Sequence, residues 1–274
     1  MTHNQLPANM AILNRLHDPE PHDILYAFAL EELLCRAMGQ GMPPILHLWR
    51  HPRAFVMGLR DSRLPLAGAA ERWLREQGYD TAVRNSGGAA VPLDLNVVNV
   101  SLLLPKTPGD IEHRKDFETM VALIREVMLN LTSRIDQGEV IGSFCPGEFD
   151  LSIDGRKFCG IAQRRQQHAI SVQAFVIVAG AGEEKGALAR EFYTRAAGSA
   201  AAEDYPHVAP GSMASLAECL RQPLSAEQFA QQVLAIMRSR GSREWDGSEL
   251  PGYPNRASIT AMIELMKQRY GIKA

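Results

Sequence analysis

The sequence predicts an α+β protein in which mainly antiparallel sheets are flanked by helices. Asp154-Gly155 lies between two alternating runs, residues 149–153 and 157–164, and this is the strongest hairpin signal in the chain. Other segments have apolar residues at helical spacing, so hairpins and helices are mixed along the chain. That mixture is typical of the α+β class.

The predicted elements follow in order from the N-terminus. Residues 1–20 are polar and interrupted by prolines, so we expect a loosely ordered arm. One main domain is expected over residues 21–240, and a connector and final helix over 241–274 that pack on the same domain. Strands are predicted at 45–50, 54–57, 79–84, 97–104, 149–153, 157–164 and 169–179. Helices are predicted from Asp23 onward and at 64–78, 113–131, 184–196, 212–220, 225–239 and 256–270.

The composition is that of an ordinary globular protein and excludes several classes. The chain has 274 residues, of which 46% are hydrophobic and 22% charged, and its net charge is −2. This balance does not resemble that of a basic nucleic-acid binder, and the apolar runs are far too short to span a membrane. The first 20 residues lack the apolar segment of a signal peptide, so we expect a cytoplasmic protein.

The four cysteines form neither a C-x-x-C pair nor a spacing typical of metal ligands, so we expect free thiols and no metal site. Cys145 stands out because it lies in a predicted loop directly before Pro146-Gly147. Free cysteines are more often packing residues than nucleophiles, but a loop cysteine flanked by turn formers is a poor core residue. Cys145 is therefore a candidate nucleophile, with packing as the alternative.

A second candidate is the run Arg84-Asn85-Ser86-Gly87-Gly88-Ala89-Ala90-Val91, which directly follows a predicted strand. Adjacent glycines allow a tight turn and a close approach of the backbone to a ligand, and exposed N–H groups there can bind an oxygen or a carboxylate. A plain turn between strands fits the same spacing equally well. The run is neither a P-loop nor a dinucleotide-binding fingerprint.

Lys157 is the third candidate. It begins the second strand of the hairpin and alternates with Cys159 and Ile161, so these three side chains are predicted to share one face. A lysine among apolar residues is partly desolvated, which favours a role in proton transfer. A solvated hairpin lysine is the alternative, and Cys159 is expected to be a packing residue. His168 and His207 are alternative bases for a thiol, although neither has a neighbouring signature.

These segments occur together and in order, and in that combination they resemble a known superfamily. Arg84 to Val91, followed by Asp94 and Asn99, resembles the "R-x-S-G-G-x-A-V…D…N" motif of the lipoate–protein ligase and octanoyltransferase superfamily. Residues 149–165 (FDLSIDGRKFCGIAQRR) are similar to its "D-l-x-i-x-G-r-K-i-x-G-x-A-Q-r-r" hairpin. The resemblance covers about residues 23–240, and it implies a catalytic domain of the biotin and lipoyl ligase type.

Within that superfamily, Phe144-Cys145-Pro146-Gly147 resembles the branch that transfers octanoyl groups between lipoyl carriers. The resemblance implies Cys145 as a nucleophile that forms a thioester and Lys157 as its proton-handling partner. It also implies octanoylated H protein of the glycine-cleavage system as donor and E2 lipoyl domains as acceptors. Substrate-binding residues are expected within the motifs: Arg84, Ser86, Gly87, Gly88, Ala89, Asp150, Gly160 and Gln163. Asp150 and Gln163 would orient the hairpin or the substrate.

Exchange of one lysine amide for another is nearly thermoneutral, so no cofactor and no ATP are expected, and we expect a monomer. Three alternatives stay open. The first is an ATP-dependent lipoate or octanoate ligase, although Ala89 and Leu93-Asp94 stand where such ligases commonly have a third glycine and a His-Asp pair. The second is a transferase that takes octanoate from acyl carrier protein. The third is a non-catalytic module that binds lipoyl carriers.

Overall fold

The computed structural model describes residues 6–18, 23–246 and 250–273. Its strands are β1 (Ala11–Arg15), β2 (Ile45–Trp49), β3 (Arg53–Met57), β4 (Asp80–Val83), β5 (Val91–Asp94), β6 (Val97–Pro105), β7 (Asp136–Gln137), β8 (Leu151–Ile153), β9 (Arg156–Arg165), β10 (Ala169–Ile177) and β11 (Arg243–Glu244). Its helices are α1 (Leu25–Met38), α2 (Ala67–Glu76), α3 (Arg114–Met128), α4 (Gly182–Ala196), α5 (Leu216–Leu220), α6 (Ala226–Ser239) and α7 (Arg256–Tyr270). Within these described ranges, every helix is too short or too polar to cross a membrane.

The strands form two sheets. The large sheet has the order β11-β1-β2-β6-β10-β9-β8-β7, and the small sheet has the order β4-β3-β5. The pairs β1–β11, β1–β2 and β3–β4 are parallel, and the other pairs are antiparallel. The prediction of an α+β fold with mainly antiparallel sheets is therefore confirmed.

Apolar residues from both faces of the large sheet form two cores. On one face, Leu102 and Val172 of the sheet pack under α3 and α6, and α6 contributes residues such as Phe229. The other face packs against α1 and the small sheet with residues such as Phe28 and Phe55. Because β6 and β10 are buried on both faces, they are almost continuously apolar rather than alternating. The site described below lies on the α1 side, between the two sheets.

Two predictions about local structure are wrong, and one strand was missed. Residues 11–15 are not part of a loose arm, because they form β1 and pair with both β2 and β11. The four-residue strand β5 was not predicted; it contains Pro92 and lies at the edge of the small sheet, where proline is tolerated. Lys157 and Cys159 do not share a face, for the reason given next.

A β-bulge separates Lys157 from Cys159. Cys159 of β9 pairs with Leu151 of β8, and Lys157 pairs with the next residue, Ser152, so Phe158 is one extra residue on β9. Such a bulge rotates the strand locally and redirects the side chains on either side of it. Phe158 and Cys159 pack into the core under α3 and α6. The Lys157 side chain is turned to the opposite face of the sheet, toward Cys145.

Candidate active site

Cys145 lies in the loop between β7 and β8 and has an unusual backbone conformation. Its φ is +47°, in the left-handed region, which costs a non-glycine residue about 1–2 kcal/mol. Lys157 offsets this cost by donating hydrogen bonds from Nζ to the carbonyl oxygens of Phe144 at 2.9 Å and Cys145 at 2.6 Å. Phe144, the residue before Cys145, is buried and its ring stacks on Phe175, so it anchors the loop at this point. The loop therefore presents the cysteine in one defined orientation.

The sulfur of Cys145 accepts two hydrogen bonds. The donors are the backbone N–H of Ala89 and Nη2 of Arg84, each 3.3 Å from Sγ. The thiol is 8% exposed, so both contacts are shielded from water. A cationic donor and a backbone donor directed at one sulfur stabilise a thiolate.

The glycine-containing loop between β4 and β5 supplies both of these donors. The buried guanidinium of Arg84 donates from Nε to the Gly87 carbonyl at 3.1 Å and from Nη2 to the Ala89 carbonyl at 2.6 Å. Because Arg84 binds the carbonyl side of the loop, the Ala89 N–H is left for the sulfur. Gly88 has φ +91°, and a Cβ there would lie 2.7 Å from Cys145 Sγ, so only glycine fits.

The ammonium of Lys157 is fully buried and has three acceptors. They are the carbonyls of Phe144 and Cys145 and the carboxylate of Asp150, whose Oδ2 lies 2.8 Å from Nζ. An ammonium has three N–H donors and no acceptor, so this arrangement satisfies it completely. The positive charge that contacts the sulfur is therefore that of Arg84, while Lys157 contacts the backbone of the cysteine.

Asp150 is the buried partner of this lysine. Burial raises the pKa of Asp150 to about 6, although the charge and hydrogen bond of Lys157 and the N–H of Gly147 act in the opposite direction. The Gly147 N–H donates to Oδ2 at 3.0 Å. One carboxylate thus joins the cysteine loop to the lysine of the hairpin.

Two spaces lie next to this loop: Cys145 itself lines the first, and its neighbour Pro146 lines the second. An inner pocket of about 30 Å3 is lined by the apolar side chains of Phe28, Trp49, Val56 and Phe175 and, further along, by Asn99, Ser101 and Gln173. An outer groove of about 540 Å3 runs over Gly87, Gly88, Ala89 and Pro146 toward Tyr205. The inner pocket has room for about two water molecules, so an acyl chain enters only if lining side chains move.

Comparison with known proteins places this site in a family. The family model described as "Lipoyl protein ligase A/B catalytic domain" matches residues 23–238. The chain belongs to this family. The resemblance inferred from the two motifs is therefore confirmed.

Curated relatives of this lipoyl ligase family share most of their length with the chain. Octanoyl-[GcvH]:protein N-octanoyltransferase of Anoxybacillus flavithermus is 40% identical over 223 residues, which is 81% of this chain and 80% of that protein. The protein of the same name from Geobacillus kaustophilus is 37% identical over 232 residues, 84% of this chain and 82% of that protein. Their shared name agrees with the expected class of enzyme, a protein acyltransferase.

Solved structures share the fold. Lipoate-protein ligase A bound with ATP is 18% identical with a TM-score of 0.66, over 98% of this chain and 97% of that chain. The bi-partite lipoate protein ligase from Thermoplasma acidophilum is 19% identical with a TM-score of 0.64, over 98% of each chain. These likenesses support the predicted ligase-type fold of the catalytic domain.

The family motifs bring most of the expected residues to Cys145, but not all of them. Gly160 faces Phe175 and the Lys157 side chain, and a Cβ there would lie 2.5 Å from the Phe175 ring. Ser86 is buried beside the groove, and its hydroxyl has no hydrogen-bond partner within the described part of the chain.

The Gln163 side chain points away from the thiol, because it lies opposite Val172 on the α3 face of the sheet; its Nε2 donates to the His113 carbonyl at 3.4 Å. Only its backbone carbonyl reaches the glycine loop, at 3.5 Å from the Gly87 N–H.

The two histidines considered as bases lie elsewhere. The His168 ring packs against Gly39, and His207 Nε2 is 2.8 Å from the carbonyl of Ala202. Cys159 packs in the core under α3 and α6, where burial raises the pKa of its thiol strongly and the charge of Asp150 acts in the same direction. Two polar residues at the loop were not expected from the sequence: Asp61 and Tyr193, which hydrogen-bond each other under Ala90. Neither belongs to a local motif, since they lie 132 residues apart.

Proposed function

We propose that this protein transfers octanoyl groups from the lysine of glycine-cleavage H protein to the lysine of E2 lipoyl domains, with Cys145 as the nucleophile. One observation carries the proposal: Cys145, which lines the apolar pocket, accepts hydrogen bonds at Sγ from Arg84 and from the N–H of Ala89, a residue that lines the open groove. A carrier lysine entering by the groove would place its amide carbonyl at the sulfur and its acyl chain in the pocket. The curated relatives carry the same activity in their name.

In the first half-reaction, the Cys145 thiolate attacks the carbonyl carbon of octanoyl-lysine, and the bond from that carbon to the lysine nitrogen breaks. Lys157 gives one proton from its ammonium to the departing nitrogen, which leaves as a neutral amine. The products are the Cys145 thioester, the free lysine of the donor and a neutral Lys157 amine, so atoms and charge balance.

The second half-reaction reverses these steps with a new carrier. The amine of the acceptor lysine attacks the thioester, loses one proton to the neutral Lys157, and expels the Cys145 thiolate. The enzyme returns to its starting charge state. Lys157 suits this cycle because an amine both gives and accepts a proton, and Asp150 stabilises the ammonium that begins and ends it.

The tetrahedral intermediates carry a negative oxygen that needs donors. We expect the Ala89 N–H and the Arg84 guanidinium, which bind the sulfur in the free enzyme, to serve as these donors. One such donor is typically worth about 2.7–4 kcal/mol in the transition state. Arg84 always carries its charge, so it stabilises both thiolate and oxyanion without exchanging a proton.

Binding of the acyl chain supports specificity. At about 0.8 kcal/mol per buried CH₂, six methylenes contribute roughly 5 kcal/mol, less the cost of moving the side chains that narrow the pocket. The pocket side chains Phe28, Trp49 and Phe175 are the apolar groups that this chain would displace.

A panel of donors tests the proposal. Octanoyl-H protein, octanoyl-acyl carrier protein, and free octanoate with ATP are each incubated with one E2 lipoyl domain, and octanoylation of that domain is followed by mass spectrometry. We expect transfer from octanoyl-H protein. Transfer from acyl carrier protein alone, or only with ATP, would contradict the proposed donor.

Variants test the nucleophile separately. Cys145→Ala and Cys145→Ser are expected to abolish transfer, whereas the matched control Cys159→Ala, a buried packing thiol, keeps it. Incubation with octanoyl-H protein is expected to leave a hydroxylamine-sensitive octanoyl adduct on the peptide containing Cys145. An adduct on Cys159, or full transfer by Cys145→Ala, would show that the nucleophile is assigned to the wrong residue.

A further inference from the structure

A chain of buried hydrogen bonds supports the glycine-containing loop from below. The Gly58 N–H donates to Asp61 Oδ2 at 2.7 Å, the Tyr193 hydroxyl donates to Asp61 Oδ1 at 3.0 Å, and the Ala90 N–H donates to the Tyr193 oxygen at 3.1 Å. Asp61 and Tyr193 are each 2% exposed. Neither residue has a role in the chemistry proposed above.

The direction of this chain is fixed by its chemistry. A carboxylate only accepts hydrogen bonds, and a tyrosine hydroxyl has one proton to give. Burial raises the pKa of Tyr193 well above its ordinary value, so the hydroxyl keeps its proton and donates it to Asp61. The lone pairs of the hydroxyl oxygen are then left for the Ala90 N–H.

Both peptide units around Ala89 are held by this arrangement. The unit between Ala89 and Ala90 is bound at both ends, since its carbonyl accepts from Arg84 and its N–H donates to Tyr193. The preceding unit carries the Ala89 N–H that contacts Cys145. The carbonyl oxygen of that unit belongs to Gly88 and packs closely on Gly58. A Cβ added to Gly58 would lie 2.0 Å from this oxygen.

Asp61 connects the two supports, because one of its oxygens binds Gly58 and the other binds Tyr193. Rotation of the Ala89 N–H away from the sulfur would therefore require movement of Gly58, Tyr193 or Arg84. Donors held in place before the reaction cost no reorganisation when charge develops.

We propose that Tyr193 and Asp61 are positioning residues that fix the Ala89 N–H on the reacting atoms. In this role they act through the backbone of the loop and not on the reacting atoms; Tyr193 is buried under Ala90, and Asp61 also lines the outer groove. The proposal rests on the proposed role of Cys145, but its test includes a measurement that needs no acyl transfer.

Tyr193→Phe removes one hydroxyl and keeps the ring. We expect kcat to fall about ten- to hundredfold with little change in KM, which is less than the hundred- to thousandfold typical for outright loss of such a donor. The rate of Cys145 alkylation by iodoacetamide is measured against pH in the same variant. Its midpoint is expected to move to higher pH, because a thiolate with a misplaced donor is less stabilised.

Asp61→Asn supplies the second variant, since its amide cannot accept from both Gly58 and Tyr193. It is expected to change kcat and the alkylation profile in the same direction. Because the two residues act in one chain, the double variant should be no slower than the slower single variant. Tyr79→Phe is the matched control: it removes a hydroxyl at the small sheet, where the Tyr79 ring lies under Arg53, and should change neither measurement.

Thermal melts establish that each variant is folded at the assay temperature. If Tyr193→Phe is not folded, the measurements on Asp61→Asn decide whether the proposal holds. A folded variant with normal kcat and an unchanged alkylation profile would refute the proposal. So would a rise in KM with an unchanged profile, because that result would make Tyr193 part of the groove wall. If Cys145→Ala still transfers octanoate, the alkylation profile alone still tests the positioning.

Discussion

Lys157→Met is the substitution for which the structure gives the sharpest expectation. Methionine retains much of the length of the side chain, but it removes the ammonium bound by Phe144, Cys145 and Asp150. Breaking a buried ion pair by removing one partner typically costs about 3–5 kcal/mol. Against a total stability of about 5–15 kcal/mol, the variant should still fold but should unfold at markedly lower urea concentration.

The pH dependence identifies the cause of that loss. In the wild type, burial raises the pKa of Asp150 from an ordinary value of about 3.9 to about 6, so the native state binds this proton more tightly than the unfolded chain. Stability contributed by this group therefore falls as pH rises from about 4 to 6, by roughly 3 kcal/mol for a shift of about two units. Without the lysine, the pKa of Asp150 rises further, because Lys157 is the main group lowering it.

Urea unfolding at pH 5, 6, 7 and 8 measures the effect. The free energy of unfolding of Lys157→Met should lie below that of the wild type by much more at pH 8 than at pH 5, where Asp150 is neutral. The double variant Asp150→Asn/Lys157→Met lacks the carboxyl group and should lose this pH dependence. The control Lys115→Met, at an exposed position, should change stability by less than about 0.5 kcal/mol. An equal deficit at pH 5 and pH 8, or a deficit below about 1 kcal/mol at both, would refute the reasoning.

Two further predictions concern the loop and the sheet. Gly88→Ala should abolish transfer, whereas the control Gly109→Ala should not. Both glycines have φ near +90°, but only at Gly88 does the new Cβ meet Cys145 Sγ. A normal transfer rate in Gly88→Ala would contradict the close approach of this glycine to the sulfur. Glu31→Gln should lower the free energy of unfolding by about 1–3 kcal/mol at pH 7.

Burial opposes ionisation of Glu31, yet the hydrogen bond and charge of His47 hold its pKa below the ordinary value, so the stabilisation is present above about pH 4.5 and is lost as pH falls. Urea unfolding of wild type and Glu31→Gln at pH 7 and pH 4 should show the difference shrinking, and a constant difference would be inconsistent with an ionised Glu31.

Local signals predicted the helices and the central strands well, and long-range pairing explains what they missed. The helix predicted over 225–239 is α6, which begins after Ser225 with a capping box in which Gln228 is the reciprocal partner. By contrast, β1 and β11 exist because residues distant in sequence pair with each other, Ala11 with Arg243. Two-residue strands such as β11 carry no periodicity that a sequence pattern can detect.

The candidate site shows the same division. The glycine loop, Cys145 and Lys157 lie in recognisable motifs, so their proximity was expected. The orientation of Lys157 was not, because alternation assumes regular pairing and the extra residue at Phe158 breaks it. Asp61 and Tyr193 were missed for a different reason. A buried Asp–Tyr contact between a turn and a helix depends on tertiary packing alone.

The separation of Arg84 from Lys157 follows from what each side chain does with a proton. Arg84 contacts the sulfur, and a guanidinium keeps its charge at every accessible pH, so it can stabilise a thiolate without neutralising it by proton transfer. A lysine in that place could protonate the nucleophile that it stabilises. Lys157 instead binds the carbonyl oxygen of the same cysteine and the carboxylate of Asp150. In the proposed mechanism it exchanges protons with the amine at the thioester, and its hydrogen bonds in the free enzyme go to the loop carbonyls and to Asp150 rather than to the sulfur.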